Sequence, residues 1–247
     1  MNALINISIY YSIKKNSKCF SRVRTNKKAS LCTNKMRTMT TSEILQKEHL
    51  EKDDIIQLLS TTGEEMQMLF RKAQEVKFSA LDNYVHLRGL IEYSNKCRKS
   101  CLYCGVRSNN TNIERYTLTD DEVVECAKLS HELGYGSVAI QSGERSDKAF
   151  TDKITTLIKR IKEIDGGSLG ITLSLGEQSE EVYREWFEAG AHRYLLRIES
   201  SNEGLYYKIH PRDERHDFNK RLACIDSLLS IGYQAVAGVM VGGPFQT

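Results

Sequence analysis

From residue 84 onward the chain repeats one rhythm, in which a short apolar run is followed by a turn, an amphipathic stretch of helical period and a further apolar run. The runs at 84–93, 137–142, 170–175, 192–199 and 234–241 read as strands. Helical patterns lie between them at 147–164, 180–189 and 217–231, and Thr119 with Glu122 forms a capping box that opens another helix, ended by Gly134. Strands joined through helices imply parallel βαβ units. Polar or small residues recur where each strand ends: Asn95, Ser142, Ser174, Glu199 and Gly242. A barrel of parallel strands builds its active site from all those ends, whereas an open doubly wound sheet gathers its ligand at one crevice. The pattern favours an α/β fold of the parallel (β/α) TIM-barrel kind. Five strands do not close such a barrel, and residues 243–247 follow the fifth directly. The barrel is therefore expected to be incomplete at its C-terminus.

The segments before this rhythm differ from it. Residues 1–42 hold nine Lys or Arg and no acid, so the net charge of +3 conceals a mildly acidic remainder. An acid-free, Ser/Thr/Asn-rich basic N-terminus has the composition of an organellar transit peptide or, alternatively, of a disordered tail. Residues 43–83 read as helices, opened by a capping box of Thr40 with Glu43 and broken at Thr61-Thr62-Gly63. No apolar run reaches membrane-spanning length, and an acidic remainder gives no nucleic-acid footprint.

Seven cysteines in 247 residues do not make a disulfide framework. Cys97, Cys101 and Cys104 fall within eight residues, in the loop after the first strand. Thiolates so spaced can wrap one iron–sulfur cubane, each on its own iron. A cubane with three protein ligands keeps one iron open to an external ligand, by the logic that separates catalytic from structural metal sites. Zinc held by these cysteines and a histidine is the alternative, but His86 and His131 are awkwardly placed for it. Cys126 shares a helix face with Val123, Ala127 and Leu133, and Cys224 one with Leu228, so both are expected in the core. Cys19 and Cys32 lie in the presequence.

The motif Cys-x3-Cys-x-aromatic-Cys after the first strand of a parallel barrel resembles the radical S-adenosylmethionine (SAM) superfamily. Further motifs are similar, in order, to the HydE-type maturases of iron-only (FeFe) hydrogenase: Asn95–Arg107, Gln141-Ser-Gly-Glu144, Thr172–Glu177, Tyr194–Glu199 and Met240–Thr247. The resemblance implies a 4Fe–4S cluster on Cys97, Cys101 and Cys104, with SAM on its open iron. It implies that Ser142, Gly143 and Glu144 receive the methionine amino group, with Gln141 beside them among the cofactor-binding residues, and that Ser174 takes a ribose hydroxyl. Glu199 would take a ribose or ammonium contact, Arg221 the methionine carboxylate, and Met240 would pack near adenine. Tyr103 supplies the aromatic of the loop. Arg197, by strand alternation on the side of Glu199, is either a substrate-carboxylate ligand or half of a structural ion pair. The family's Gly-x-Pro-Gly-Gln-Thr turn carries Phe245 in place of its second glycine.

The activity so implied is reductive cleavage of SAM to a 5′-deoxyadenosyl radical, in maturation of the hydrogenase cluster. It calls for a small-molecule substrate, an electron donor such as ferredoxin and the other hydrogenase maturases as partners. Methylornithine synthase- and biotin synthase-like enzymes are rivals of the same superfamily. A non-enzymatic zinc or iron–sulfur scaffold is the rival of another class, and it would leave Glu144, Ser174 and Glu199 without a role. With the basic presequence, a mitochondrion-related organelle such as the hydrogenosome is expected; the mitochondrial matrix, plastid and cytoplasm are the alternatives.

Overall fold

Each of five helices begins on a side chain that the sequence carries one residue ahead of it. Thr119 caps α4 (Asp120–Glu132), Asp147 caps α5 (Lys148–Lys162) and Ser179 caps α6 (Glu180–Glu188). Asn202 caps α7 (Glu203–Ile209) and Asp217 caps α8 (Phe218–Ile231). In each case the oxygen accepts the backbone N–H three residues on, satisfying a donor the helix itself leaves free. These caps belong to a computed structural model that describes residues 39–246; residues 1–38 of the expected presequence, with Cys19 and Cys32, and Thr247 lie outside the described residues, while α1 begins inside the expected 1–42 segment.

The described residues divide between Val85 and His86. The first unit holds α1 (Thr41–Ile44), α2 (Lys52–Leu59) and α3 (Gly63–Leu81). The capping box of Thr40 and Glu43 is present at the start of α1, and the break before Gly63 separates α2 from α3.

The second unit is built on five parallel strands: β1 (Gly89–Ser94), β2 (Ser137–Ser142), β3 (Gly170–Ser174), β4 (Arg193–Leu195) and β5 (Gln234–Val236). They pair in sequence order, β1 to β5, with helices in the connections. A doubly wound sheet reverses its strand order at a switch point. No reversal occurs among these strands, so the arrangement is the successive wall of a (β/α) barrel. Ile91, Val138, Ile140, Ile171, Leu173 and Tyr194 bury the sheet against Val123, Ile154, Ile158, Tyr183 and Trp186. Among the described residues no helix is long and apolar enough to cross a membrane.

Three strands are shorter than the sequence pattern suggests. Residues 84–88 precede the ladder, with Val85 71% exposed. The fourth strand stops at Leu195, and beyond it one parallel bridge, Glu199 with Val239, stands in place of a continued ladder, with Glu199 at φ +61. The fifth ladder stops at Val236. Helix α7 is missing from the sequence reading because seven residues give the period too few repeats. Cys224 is buried as expected, but Cys126 is exposed. The buried face of α4 is Val123, Val124, Ala127 and Ser130, and Cys126 sits one step round the helix from it.

Candidate functional site

Side chains of the strand ends shape the loop after β1. Ser94 Oγ donates to the Tyr116 carbonyl (2.8 Å), and Asn95 clamps the returning chain, Nδ2 to Glu114 O (2.7 Å) and Oδ1 from Tyr116 N–H (2.9 Å). The Arg115 guanidinium reaches the carbonyls of Asn95, Val106, Arg107 and Asn110 at 2.6–3.1 Å, tying the far side of the loop. Cys97 Sγ accepts the backbone N–H groups of Lys99 (3.4 Å) and Glu144 (3.3 Å). Cys101 O accepts the Cys104 N–H (3.1 Å). Over Gly105 the space is open, so no close backbone approach accounts for that glycine.

Burial pushes the Cys97 thiol up and the Cys101 thiol to about 11, so these sulfurs ionise readily only against a strong cation. Among the described residues no three His, Cys, Asp or Glu side chains converge on one ion position. Three thiolates on one loop suit a cubane, where each takes its own iron, while zinc would need a fourth donor on the same centre. The two N–H···S bonds on Cys97 are of the kind that stabilise a cluster thiolate.

Beside the loop lies a charge cluster spanning β1, β2, β3 and α8. Lys99 Nζ lies 2.5 Å from Glu177 Oε1 and 3.5 Å from Glu144 Oε1; Arg98 bonds Glu144 Oε1 at 3.0 Å. Arg221 Nη1 lies 3.1 Å from Glu177 and 3.7 Å from Glu144. Glu144 Oε2 accepts the Glu177 N–H (2.9 Å). Lys99, Glu144, Glu177 and Arg221 are buried. Three cations thus face two carboxylates, and Arg221 Nε and Nη1 have no hydrogen-bond partner. The four buried charges balance, with the partly exposed Arg98 adding one positive charge at their edge, and the unpartnered Nε of the buried Arg221 guanidinium fits a carboxylate ligand.

Glu144 is therefore already committed within the protein, and the neighbouring carbonyls of Ser142 and Gly143 are what the strand end leaves for an ammonium. The Ser142 hydroxyl donates to the Gly143 carbonyl (2.6 Å). Gln141 and Ser174 are register partners at the ends of β2 and β3. Glu199 holds the β5 extension, donating its N–H to Gly238 O and accepting from Met240 N, both at 3.0 Å. Burial raises the Glu199 carboxyl against the pull of Arg197 and Arg221. Burial, with the charges of Cys101 and Glu199, also raises the Tyr103 hydroxyl. Arg197 is exposed, with its stem beside Gly238. Gln246 folds the last turn back on Met240 O and the N–H groups of Gly242 and Gly243. Phe245 takes φ +69 there, the left-handed region that a glycine at that position adopts without strain, and Lys208 lies over its ring.

Lys99, Arg98, Glu177, His210, Asp213 and His216 are the residues of the site that sequence reasoning passed over. Lys99 and Arg98 stand between two of the cysteines, and Glu177 ends the Thr172–Glu177 motif, which is the signal that marks them.

Two expected outcomes arise here. A Cβ on Gly143 would stand 2.5 Å from Lys96 O and 2.7 Å from Cys97 Cβ, both held by the main chain. Gly143→Ala should cost about 1–3 kcal/mol and displace the cysteine loop, read as a lower melting temperature with reduced iron uptake. Burial lowers His210 from 6.5 to about 4. Between those values unfolding takes up a proton, so stability should fall as pH falls through this window. Urea midpoints should show that slope, and His210→Gln should flatten it.

The family model described as the radical SAM superfamily matches residues 91–247. The [FeFe] hydrogenase maturase subunit HydE of Thermotoga maritima is 43% identical over 181 residues, which is 73% of this chain and 50% of that protein. A biotin synthase of Geobacter metallireducens is 30% identical, over 68% of this chain and 52% of the relative. The solved structure of methylornithine synthase (PylB) superposes with a TM-score of 0.70 at 26% identity, over 82% of this chain and 59% of that one. The chain thus spans about half the length of the curated relatives it matches. With the cysteine loop, the successive parallel strands and a match across the whole of that region, the chain belongs to the radical SAM superfamily.

Proposed function

We propose that this chain belongs to a HydE-like radical SAM enzyme acting in maturation of the FeFe-hydrogenase cluster. The observation that carries the proposal is the pairing of a three-cysteine loop with a buried charge cluster beside it, in which the Arg221 Nε has no hydrogen-bond partner within the protein. The 43% identity to HydE supports the choice within the superfamily. When bound, the 4Fe–4S cluster and SAM supply a 5′-deoxyadenosyl radical by one-electron reductive cleavage.

The residues then have these tasks. Cys97, Cys101 and Cys104 hold the cluster. Arg221, with Lys99 behind it, takes the methionine carboxylate; the Ser142 and Gly143 carbonyls take the ammonium, while Glu144 orients Arg98, Lys99 and the Glu177 turn. Ser174 and Glu199 face the ribose, Met240 the adenine, and Tyr103 shields the cluster edge. Arg197 is the ligand for an acidic group of a small-molecule substrate. A ferredoxin-like donor and the other maturases are the partners, and the basic segment 1–42 directs the protein to a mitochondrion-related organelle of hydrogenosome type.

Methylornithine synthase-like chemistry is the second reading, supported by the PylB superposition. A biotin synthase-like second cluster finds less support, since Cys126 and Cys224 lie on helices and not at strand ends. The test is maturation: hydrogenase expressed in a host lacking its own HydE should become active when this chain is supplied. If hydrogenase stays inactive while methylornithine accumulates from lysine, the second reading replaces the first.

A further inference from the structure

The chain from the last residue of α7 to the start of α8 runs against the cysteine loop and touches it at four places. Leu102 N–H donates to Ile209 O (3.0 Å), and the Tyr103 hydroxyl meets His210 Nε2 (3.1 Å). Ser100 N–H donates to His216 Nε2 (3.0 Å), and Arg215 Nη1 to Arg98 O (3.1 Å). All four loop partners stand between cysteines: Arg98 and Ser100 before Cys101, Leu102 and Tyr103 after it. Both imidazoles are buried, at 2% and 1% exposure.

The protons on these rings follow from their partners. His210 Nδ1 faces the Tyr206 carbonyl (2.9 Å), which only accepts, so Nδ1 carries the proton and Nε2 accepts from Tyr103. His216 Nδ1 faces the Asp213 carboxylate (2.6 Å), while Nε2 faces an amide that only donates. Asp213 thus fixes the tautomer that Ser100 requires.

We infer that His210, and His216 oriented by Asp213, are positioning residues that pre-form the cysteine loop before any cluster enters it. The inference rests on reading the loop as the cluster site. Its physical reason is entropy, because ordering a free loop costs conformational freedom at every residue and a loop already ordered spends none of that at binding.

The test uses the cluster-free chain and amide hydrogen exchange, with iron retention after reconstitution as the second readout. Ser100 should be protected in the wild type. His216→Leu should speed its exchange about tenfold, because a buried amide loses its acceptor. His216→Gln, whose side-chain oxygen can stand where Nε2 stood, should restore protection. Asp213→Ala, at a largely exposed carboxylate, should loosen Ser100 because the ring is then free to present a proton to the amide. His210→Phe should loosen the Leu102–Tyr103 peptide. Iron retention should fall in the order of exchange. Unchanged Ser100 exchange in both His216→Leu and Asp213→Ala would overturn the inference, even if the wild type cleaves SAM. Protection that follows the variants in a chain that takes up zinc and no cluster would leave the clamp standing and sink the functional reading instead.

Discussion

Glu177→Leu is expected to cost about 3–5 kcal/mol of folding free energy, because it strands Lys99 and Arg221 as buried cations. For a unit of this size that is a fall of roughly 10 °C in melting temperature. Glu144 compensates only in part: it already lies 3.5 Å from Lys99 and 3.7 Å from Arg221, and one carboxylate would then face three cations. Exposed pairs give the contrast: Arg184 and Glu180 lie 2.7 Å apart with about half of each side chain in solvent. Breaking that pair should shift stability by less than ~1 kcal/mol. The double change Glu177→Leu with Lys99→Met should recover part of the loss, because it removes a stranded cation with its partner. A single Glu177→Leu variant that melts with the wild type would mean that water reaches this cluster and that Lys99 and Arg221 do not depend on Glu177 for their balance.

Cys101→Ala should have the opposite profile, with the fold kept and the chemistry lost. Cys101 is buried at the centre of the loop, and its sulfur lies near the Tyr103 hydroxyl, whose proton is directed to His210. The loop is held by Ser94, Asn95, Arg115 and the α7–α8 segment, none of which needs that sulfur. The melting temperature of the cluster-free protein should therefore change little. The reconstituted variant should lack the cluster absorbance and should form no 5′-deoxyadenosine. Glu177→Leu and Cys101→Ala separate the two requirements of the site, a charged wall and a cluster ligand.

The parts of this site legible in the sequence are those set by neighbours along the chain. The cysteine spacing, the capping residues Thr119 and Thr40 and the β2 run were readable because each rests on residues within a few positions of one another. The charge cluster was not, because it joins residues far apart in the chain: Lys99 to Glu177, Arg98 to Glu144 and Arg221 to both carboxylates. The same holds for His216, whose imidazole reaches Ser100 across the fold. Helical spacing alone misplaced Cys126, because a helix on a sheet buries a stripe and a neighbour of that stripe can face solvent. Glu199 illustrates a different limit. An apolar run of strand character leads up to it, yet the ladder stops at Leu195 and Glu199 takes a positive φ, and no local pattern announces a left-handed glutamate. Phe245 is the reverse case, where a resemblance identified a glycine position and the structure gives that residue the left-handed φ a glycine adopts freely.

The most direct measurement is anaerobic reconstitution of the chain with iron and sulfide, followed by dithionite and SAM, with the iron bound and the nucleoside formed determined together. The account predicts about four irons per chain, an electron paramagnetic resonance signal altered by SAM, and 5′-deoxyadenosine from the wild type but not from Cys101→Ala. Zinc in place of iron, or nucleoside formed equally by the Cys101→Ala variant, would contradict it.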